Sequence, residues 1–211
     1  MLALGYMWRD SVSLEGRYIR LEPLGLEHAP TLLEHFDAEM VRYLSNAPRE
    51  STLEAMQNYI RTLLADKDRV NWAIVDKASG QMAGRTGYVR VNPEYRSLET
   101  TTWIFTPFQG GYANPESKYL LLRRAFEDLQ AIRVQFRADA RNTRSCKAIE
   151  RLGATFEGIL RKDQIYPDGT IRSTAVYSII DDEWPQVKKG LESRLYGKGW
   201  PRSGSDGPQV F

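Results

Sequence analysis

Residues 100–129, TTTWIFTPFQGGYANPESKYLLLRRAFEDL, decide the fold. Their first part is rich in threonine and aromatic residues, which is typical of a buried strand. Pro107 lacks a backbone donor and the two glycines that follow free the backbone, so strand pairing is expected to stop there. A helix is predicted directly afterwards, with Asn114 as its N-cap and Pro115 as its first residue. The stretch therefore predicts a strand, a glycine turn and a helix in immediate succession.

The start of this helix has the features of an anion-binding site. Residues 110–114 place backbone amides ahead of the first helical turn, where they lack intrahelical acceptors and lie at the positive end of the helix dipole. Such amides hold a phosphate or a pyrophosphate. The alternative is that Gly110 and Gly111 only make a tight connection, because short glycine motifs often occur by chance. Further along, helical spacing predicts an apolar face at Tyr119, Leu122, Phe126 and Leu129.

Composition and charge exclude several classes of protein. The chain has 211 residues and a net charge of +2. This charge is too small to indicate a DNA or membrane surface, and no apolar run reaches the roughly 18 residues of a membrane span. One cysteine, Cys146, and no recognisable signal sequence favour the cytoplasm, and two histidines without a third nearby ligand predict no metal site. We expect an N-terminal arm at 1–16, one domain at 17–196 and a flexible tail at 197–211.

Hydrophobic periodicity divides the rest of the chain into strands and helices. Strands are predicted at 17–24, 70–75, 81–91, 132–139, 155–166 and 170–180, and helices at 26–36, 142–152 and 181–195. Another helix begins at Ser51, whose spacing to Glu54 is that of a capping box, and it turns inward Met56, Tyr59, Ile60 and Leu63. Gly84 and Gly87 within a strand predict a bulge or a close backbone approach. This order predicts an α/β or α+β sheet with helices on both faces.

Two segments carry a family resemblance. Gly111-Tyr112-Ala113 follows the strand that contains Trp103, and residues 141–158 have the sequence RNTRSCKAIERLGATFEG. The first segment is similar to the G-x-G/A end of a pyrophosphate loop, and the second to the run N-x-x-S-x-x-A-[IV]-x-x-x-G-F-x-x-E-G. Together they resemble the GNAT acyltransferase superfamily, specifically its branch of ribosomal-protein N-terminal acetyltransferases of the RimJ and RimL type.

The resemblance implies a fold and a co-substrate. The GNAT fold has a mixed, mostly antiparallel sheet of about seven strands, helices on both faces and a splayed strand pair. The co-substrate is acetyl-CoA. The strands at 102–105 and 134–139 are expected to splay where Pro107 ends pairing, which leaves backbone groups free to bond the pantetheine arm as though it were another strand. A primary amine, on a protein N-terminus or a small molecule, is the implied acceptor.

The resemblance also assigns the coenzyme-binding residues. One departure from the family loop is visible, because Phe108 rather than Gln109 holds the first position when Gly111 holds the fourth. The amides that bind the pyrophosphate do not depend on that side chain. The residues expected to contact the coenzyme are Trp103, Ile104, Phe105, Gln109, Gly110, Gly111, Tyr112, Ala113, Asn114, Asn142 and Ser145.

Two catalytic residues are expected. Ser145 is placed by the resemblance to hydrogen-bond the leaving thiolate or return its proton, and the alternative is a first-turn serine that bonds its own backbone. The acceptor amine must lose a proton, and Glu99 at the start of the Trp103 strand is the implied base, acting through water, unless it is a surface residue. Further candidates near the cleft are Asp139, Asp163 and Tyr166.

Other interpretations stay open. Cys146 as an acyl-carrying nucleophile is less favoured than a small packed residue. A coenzyme-binding sensor without turnover would share the fold, and the choice of acceptor, set by residues such as Tyr43, is not determined. A homodimer is also left open. An RNA-binding module would use a basic face made of Arg133, Arg137, Arg141, Arg144 and Arg151.

Overall fold

The structure is a computed structural model that describes residues 7–44 and 47–197. Within these residues eight strands form one sheet, in the order β1-β2-β3-β4-β5-β6-β8-β7. Neighbouring strands are antiparallel except β5 and β6, which are parallel. The strands are β1 (Leu14–Glu15), β2 (Ile19–Pro23), β3 (Val70–Asp76), β4 (Met82–Asn92), β5 (Ser97–Ile104), β6 (Arg133–Asp139), β7 (Thr155–Ile165) and β8 (Ile171–Ile180).

Helices cover both faces of this sheet, as predicted. Helices α1 and α3 share one buried cluster with Trp103 and Phe105, and α4 and α6 share another with the opposite face. The described helices are α1 (Ala29–Glu34), α2 (Ala38–Val41), α3 (Leu53–Ala65), α4 (Ala113–Arg123), α5 (Thr143–Glu150) and α6 (Trp184–Glu192). Short 3-10 turns lie at Leu26–His28 and Thr106–Phe108, and π-turns at Arg124–Asp128 and Ser193–Gly197. None of these helices is long and apolar enough to cross a membrane.

The mixed, mostly antiparallel sheet confirms the predicted fold class. The prediction of about seven strands omitted the two-residue β1, where Leu14 pairs with Leu21. It also omitted the short helix α2. Ile132, predicted as the first residue of a strand, instead precedes β6 and is 42% exposed. Residues 1–6 of the predicted arm and 198–211 of the predicted tail lie outside the described part of the chain.

Close backbone approaches explain two glycines of β4. A Cβ on Gly84 would lie 2.2 Å from the carbonyl oxygen of Trp103, and a Cβ on Gly87 would lie 2.4 Å from that of Val70. The register between β3 and β4 also shifts after Ile74, which pairs with Gly84. Both the predicted close approach and the predicted bulge are therefore confirmed.

Helix α3 begins one residue later than predicted. Thr52 is the N-cap, in an extended conformation, and its Oγ1 accepts a hydrogen bond from the amide of Ala55 at 3.1 Å. The capping box from Ser51 to Glu54 is therefore wrong, because the extended backbone at Thr52 starts the helix at Leu53. The predicted inner face is confirmed, since the four residues are all buried: Met56, Tyr59, Ile60 and Leu63.

The start of α4 also differs from the prediction. The helix begins at Ala113 with Tyr112 as N-cap and no side-chain cap bond, so the assignments of Asn114 and Pro115 are wrong. The predicted apolar face is buried, but so is every residue at positions 115–122, because α4 packs between the sheet and α6. The prediction of a single apolar face is therefore too narrow for α4, because the helix is buried on more than one side.

Glu116 shows how a charged residue is accommodated inside α4. It is fully buried, and its carboxylate accepts hydrogen bonds from the amides of Arg17 at 2.8 Å, Tyr18 at 2.8 Å and Ile19 at 2.7 Å. Tyr196 donates a further bond at 2.8 Å. Hydrogen bonds of this kind offset the cost of burying a carboxylate. Glu116 thereby attaches α4 to the start of β2.

The parallel strands β5 and β6 separate part of the way along their length. They pair from Ser97 with Arg133 to Thr100 with Phe136, and beyond this pair they diverge while each continues for several residues. We call this divergence the fork. It confirms the predicted splayed pair, and its closed end lies at Thr100 and Phe136.

Candidate active site

A cleft of about 1130 Å³ runs along the fork. One wall is formed by the end of β5 and the start of α4, and the other by the end of β6 and the first turn of α5. Predicted site residues from both halves of the sequence line it, including Glu99, Gly110, Gly111, Asn142 and Ser145. The tertiary structure therefore brings the two motif segments to opposite sides of one cavity. Among the described residues no group of His, Cys, Asp and Glu is placed to hold a metal ion.

The backbone at the start of α4 presents unbonded amides. Within the described chain, the amides of residues 110–114 donate to no acceptor, and the first one that does is Glu116, to the carbonyl oxygen of Tyr112 at 2.9 Å. Gly110 has φ +75, a conformation that favours glycine, whereas a Cβ on Gly111 would make only an ordinary contact of 3.6 Å. The amides and the helix dipole together fit an anion. We call residues 110–114 the amide cradle.

Tyr112 holds the amide cradle against the rest of the protein. Its hydroxyl donates to Asp76 Oδ1 at 2.5 Å, and its ring stacks on Tyr18 with 4.8 Å between ring centres. Burial would raise the pKa of Asp76, but hydrogen bonds from Ser79 and Tyr112 hold it below its usual value. Burial and the bond to Asp76 raise the pKa of Tyr112 to about 12. The cradle is thus fixed by an ionised carboxylate and a neutral phenol.

Gln109 connects the two walls of the cleft. Its Nε2 donates to the carbonyl oxygen of Ile104 at 3.1 Å, and its Oε1 accepts a hydrogen bond from the guanidinium of Arg144 on α5. Phe108, which holds the first position of the family loop, lies in the 3-10 turn and packs partly buried against the core. The side chain of Gln109 is therefore engaged within the protein rather than directed at the cradle.

The aromatic residues at the end of β5 contribute less to the cleft than predicted. Trp103 and Ile104 line it, but the Trp103 ring is buried towards α3. Phe105 does not line the cleft, its ring is fully buried, and its amide donates to the carbonyl oxygen of Ala83 at 2.9 Å. Its own carbonyl accepts the amide of Phe108 at 2.9 Å. The assignment of Phe105 as a coenzyme contact is therefore corrected, since the residue is fully buried outside the cleft and its backbone N–H and C=O are both hydrogen-bonded within the protein.

The first turn of α5 forms the opposite wall. Asn142, the first residue of the helix predicted at 142–152, is its N-cap, and its side-chain oxygen accepts a hydrogen bond from the amide of Ser145 at 3.1 Å. Ser145 is half-buried and lines the cleft, and its hydroxyl bonds to no other described residue. The hydroxyl therefore does not bond the backbone of its own helix, which was the alternative role for Ser145. Cys146, by contrast, does not line the cleft and its Sγ lies 3.9 Å from the carbonyl oxygen of Asp139, as expected for a packed residue.

Glu99 is a buried carboxylate rather than a surface residue. Its side chain is 14% exposed, and Oε2 lies 3.5 Å from the Nε of Arg90 in a pair too long for a hydrogen bond. Burial raises the pKa of Glu99, and the arginines Arg90, Arg137 and Arg172 oppose this only in part. A carboxylate whose conjugate acid has a raised pKa is a stronger base than an ordinary glutamate, which suits it to accept a proton.

Asp139 and Asp163 have the opposite electrostatics. Asp139 is 1% exposed and bonds the Arg141 guanidinium at 3.0 and 2.7 Å and the Tyr166 hydroxyl at 3.1 Å. Asp163 accepts hydrogen bonds from Arg137 on β6 and from the hydroxyl of Thr174 on β8. Burial would raise both pKa values, but these hydrogen bonds and charges hold them below the usual range. Both carboxylates are therefore ionised and already engaged.

Lys118 is a cleft residue that the sequence analysis missed. It is 6% exposed, and its Nζ donates to Thr100 Oγ1 at 2.9 Å at the closed end of the fork. Burial lowers its pKa to about 7. One signal in the sequence could have identified Lys118 as a cleft residue. It follows Asn114 by four residues, which places the two side chains on one side of α4. The apolar residues around it led us to expect only a core face there.

The basic residues of the predicted RNA face are mostly paired. Arg133 bonds Glu157, Arg137 bonds Asp163, Arg141 bonds Asp139, and Arg144 bonds Gln109. Several of these bonds lie inside or beside the cleft. Three of these arginines, Arg133, Arg137 and Arg141, therefore neutralise nearby carboxylates instead of forming a continuous basic surface.

Comparison with known proteins gives the family. Residues 19–155 match the acetyltransferase (GNAT) domain. A solved structure from T. thermophilus, provisionally named an acetyltransferase, is 50% identical with a TM-score of 0.86 and covers 90% of this chain and 100% of that chain. A GCN5-related N-acetyltransferase from Brucella melitensis is 27% identical with a TM-score of 0.86, covering 93% of this chain and 91% of that one.

A curated relative supports the RimJ and RimL type of branch. YdaF of Bacillus subtilis (strain 168), provisionally named a ribosomal N-acetyltransferase, is 26% identical over 172 residues, which are 80% of this chain and 92% of YdaF. The matched domain spans more than half of the chain and contains the fork, the amide cradle, all of α5 and most of the motif at 141–158. The chain therefore belongs to the GNAT family of acetyltransferases.

Proposed function

We propose that this protein is an acetyl-CoA-dependent N-acetyltransferase that acetylates a primary amine by direct transfer in a ternary complex. The observation that carries the proposal is the continuity of two features. The unbonded amides of the cradle open into the same cleft that follows the fork, with Gly110, Gly111 and Asn114 on its lining. An anion site that leads into a splayed strand pair suits a ligand with a diphosphate and an extended arm.

The residues of the cleft fit coenzyme A. The amide cradle would hold the diphosphate, and backbone groups of β5 and β6 beyond Thr100 are available to bond the pantetheine arm. Arg144 and Arg151 line the cleft on the α5 side, where they would neutralise further phosphate charge. When bound, acetyl-CoA supplies an acetyl group activated as a thioester.

Glu99 would act as the general base through a water molecule. It is the carboxylate of the cleft whose pKa burial raises, whereas Asp139 and Asp163 are held ionised by arginines. Removing a proton from the acceptor amine makes its nitrogen nucleophilic. Ser145, on the opposite wall with an unbonded hydroxyl, would donate a hydrogen bond to the sulfur of the leaving group.

We propose a protein N-terminus as the acceptor class, with small-molecule amines as the alternative. The name of YdaF points to a ribosomal protein acceptor for that relative. In this chain the acceptor end of the cleft is lined by Tyr43, Gln164 and Arg172, and Tyr166 connects to it by donating to the carbonyl oxygen of Tyr43 at 3.2 Å. An acceptor of this class implies that the protein acts in the cytoplasm. The homodimer stays a prediction, and the exposed apolar side chains of the edge strand β7 are the surface to examine for it.

A two-part experiment tests the proposal. Native mass spectrometry of the full chain measures coenzyme A binding, and a thiol-release assay with acetyl-CoA screens N-terminal peptides of ribosomal proteins beside small amines. We expect coenzyme binding and thiol release with at least one N-terminal peptide. Binding without release for any amine would favour a sensor, and release only with small amines would overturn the acceptor class. The absence of coenzyme binding, with binding to RNA instead, would overturn the function itself.

A further inference from the structure

Lys118 is a buried amine that the proposed chemistry does not yet use. Its Nζ lies 2.9 Å from Thr100 Oγ1 and 5.6 Å from the centre of the Phe136 ring. Thr100 and Phe136 are the last pair of β5 and β6 before the fork opens. Lys118 also follows Asn114 of the amide cradle by four residues, a rise of about 6 Å along α4. The amine therefore lies at the closed end of the fork, on the face of the sheet against which α4 packs.

Folding alone does not explain an amine at this position. An ammonium group has three N–H donors, and in the described part of the chain Lys118 has a single hydrogen-bond acceptor and no carboxylate within ion-pair distance. Burying a cation without a carboxylate costs free energy, and an apolar side chain of similar length would avoid that cost. The group is thus unfavourable for stability and is directed into a cleft that it lines.

Burial makes Lys118 a group that exchanges its proton near neutral pH. Burial lowers its pKa to about 7, with Glu99 of β5 raising the value and Arg85 of β4 lowering it further. An ordinary lysine has a pKa of about 10.4 and stays protonated at neutral pH. Lys118 can therefore give up a proton near neutral pH and recover it from water.

We propose that Lys118 is a catalytic residue that protonates the sulfur atom of coenzyme A as the acetyl group leaves. This inference rests on the proposed function. The acceptor nitrogen forms a bond to the acetyl carbonyl carbon, and the carbon–sulfur bond breaks with its electron pair on sulfur. The Lys118 ammonium transfers a proton to that sulfur, which yields a thiol and a neutral amine. Glu99 receives, through water, the proton lost by the acceptor nitrogen, and Lys118 regains its proton from solvent.

The position of Lys118 is tested without catalysis by nuclear magnetic resonance of protein labelled with ¹³C at the lysine ε-carbons. Lys118→Arg identifies the signal by its disappearance. We expect this signal to titrate near neutral pH, to shift when coenzyme A binds, and not to shift with 3′-phospho-ADP, which lacks the pantetheine arm. Equal shifts with both ligands, or no shift while coenzyme A is bound, would place the amine away from the sulfur and overturn the inference.

The chemical role is tested with the selenoester analogue of acetyl-CoA. A selenolate leaves without protonation, so a missing proton donor matters little for this analogue. We expect Lys118→Met to slow transfer from acetyl-CoA by about 10²-fold, and from the selenoester by no more than a few-fold. Lys118→Arg should behave like Lys118→Met, because arginine does not release its proton. Lys189→Met, at an exposed position of α6, is the matched control and should match the wild type with both donors.

The outcomes separate this inference from the proposed function. A variant Lys118→Met that is folded, binds coenzyme A and is equally slow with both donors would overturn the proton-donor role alone. Acetylation of Lys118 itself, found by intact mass after incubation with acetyl-CoA, would show a nucleophile instead and also overturn it. A wild-type protein that releases no thiol with any amine would contradict the proposed function.

Discussion

The carboxylate of Glu116 in α4 accepts the backbone amide of Ile19 in β2 at 2.7 Å, and the same group bonds the two preceding amides. The helix that begins at the amide cradle is therefore attached to β2, which lies three strands away from β5 in the sheet. A Cβ on Gly16 would lie 2.7 Å from the Glu116 carboxyl carbon, so the chain passes close to it. Glu116 fixes the position of α4, and with it the position of the cradle.

We predict that Glu116→Gln lowers the free energy of unfolding by about 2–4 kcal/mol, because buried amides lose their acceptor and face the new NH₂ group. Urea denaturation followed by circular dichroism measures this loss. Glu50→Gln, at an exposed position, is the control and should change little. A loss at position 116 no larger than at position 50 would show that the carboxylate does not hold α4.

Gly111→Glu should weaken coenzyme A binding at least about tenfold, a change of ~1.4 kcal/mol, because a carboxylate would face the diphosphate. The backbone allows the substitution, since a Cβ there meets only Phe108 at 3.6 Å and φ is not positive. Isothermal titration calorimetry measures the affinity. Gly190→Glu adds the same charge on α6, where a Cβ meets nothing within 4 Å, and should leave it unchanged. Equal affinity for both variants would remove the amide cradle from the site.

Glu99→Gln should reduce kcat/KM by about 10²-fold while the affinity for coenzyme A is kept, because the substitution removes the proposed base and retains the shape of the side chain. Glu94→Gln, in the exposed loop before β5, is the matched control. A coenzyme affinity that falls together with kcat/KM would indicate a structural role for Glu99.

The pH dependence follows from the direction of the Glu99 pKa shift. Burial raises this pKa, so the carboxyl group becomes protonated, and useless as a base, at a higher pH than an ordinary glutamate. As the pH falls through the raised pKa, we expect kcat/KM of the wild type to fall, with the acidic limb displaced upward from the ordinary glutamate range near 4.3. The same limb should be missing from Glu99→Gln. A limb of equal position in both proteins would assign it to another group.

Asn142→Ala should cost about 1 kcal/mol of stability and also weaken coenzyme A binding several-fold, because the lost N-cap frees the first turn of α5, which carries Ser145. Thr52→Ala removes the corresponding cap of α3, away from the cleft. Thermal unfolding should show a similar loss for both variants, whereas calorimetry should show weaker coenzyme binding only for Asn142→Ala. An equal loss of coenzyme affinity in both variants would mean that the lower stability, and not the change in the cleft wall, weakens binding.

The arginine-rich segments show why charge could not be interpreted from sequence alone. Arg133, Arg137 and Arg141 alternate along one stretch and resemble a basic face, but each has a carboxylate partner supplied by another part of the chain or by a sharp local turn. The pKa directions of Asp139 and Glu99 differ for the same reason. Burial raises both pKa values, but the hydrogen bonds that Asp139 accepts from Arg141 and Tyr166 outweigh it. Glu99 has fewer such donors, so its pKa stays raised.

The sequence by itself determined the order of the main elements, the inner face of α3, the start of the helix at Asn142 and the two motif segments, because periodicity and turn chemistry depend on residues close together in the chain. Only the tertiary structure decided that the segments at 110–114 and 142–145 form opposite walls of one cleft, that Phe105 is buried outside it and that Lys118 lies at the closed end of the fork. The physical reason is that burial and the pairing of distant strands determine which polar groups stay unbonded, and those groups make the site.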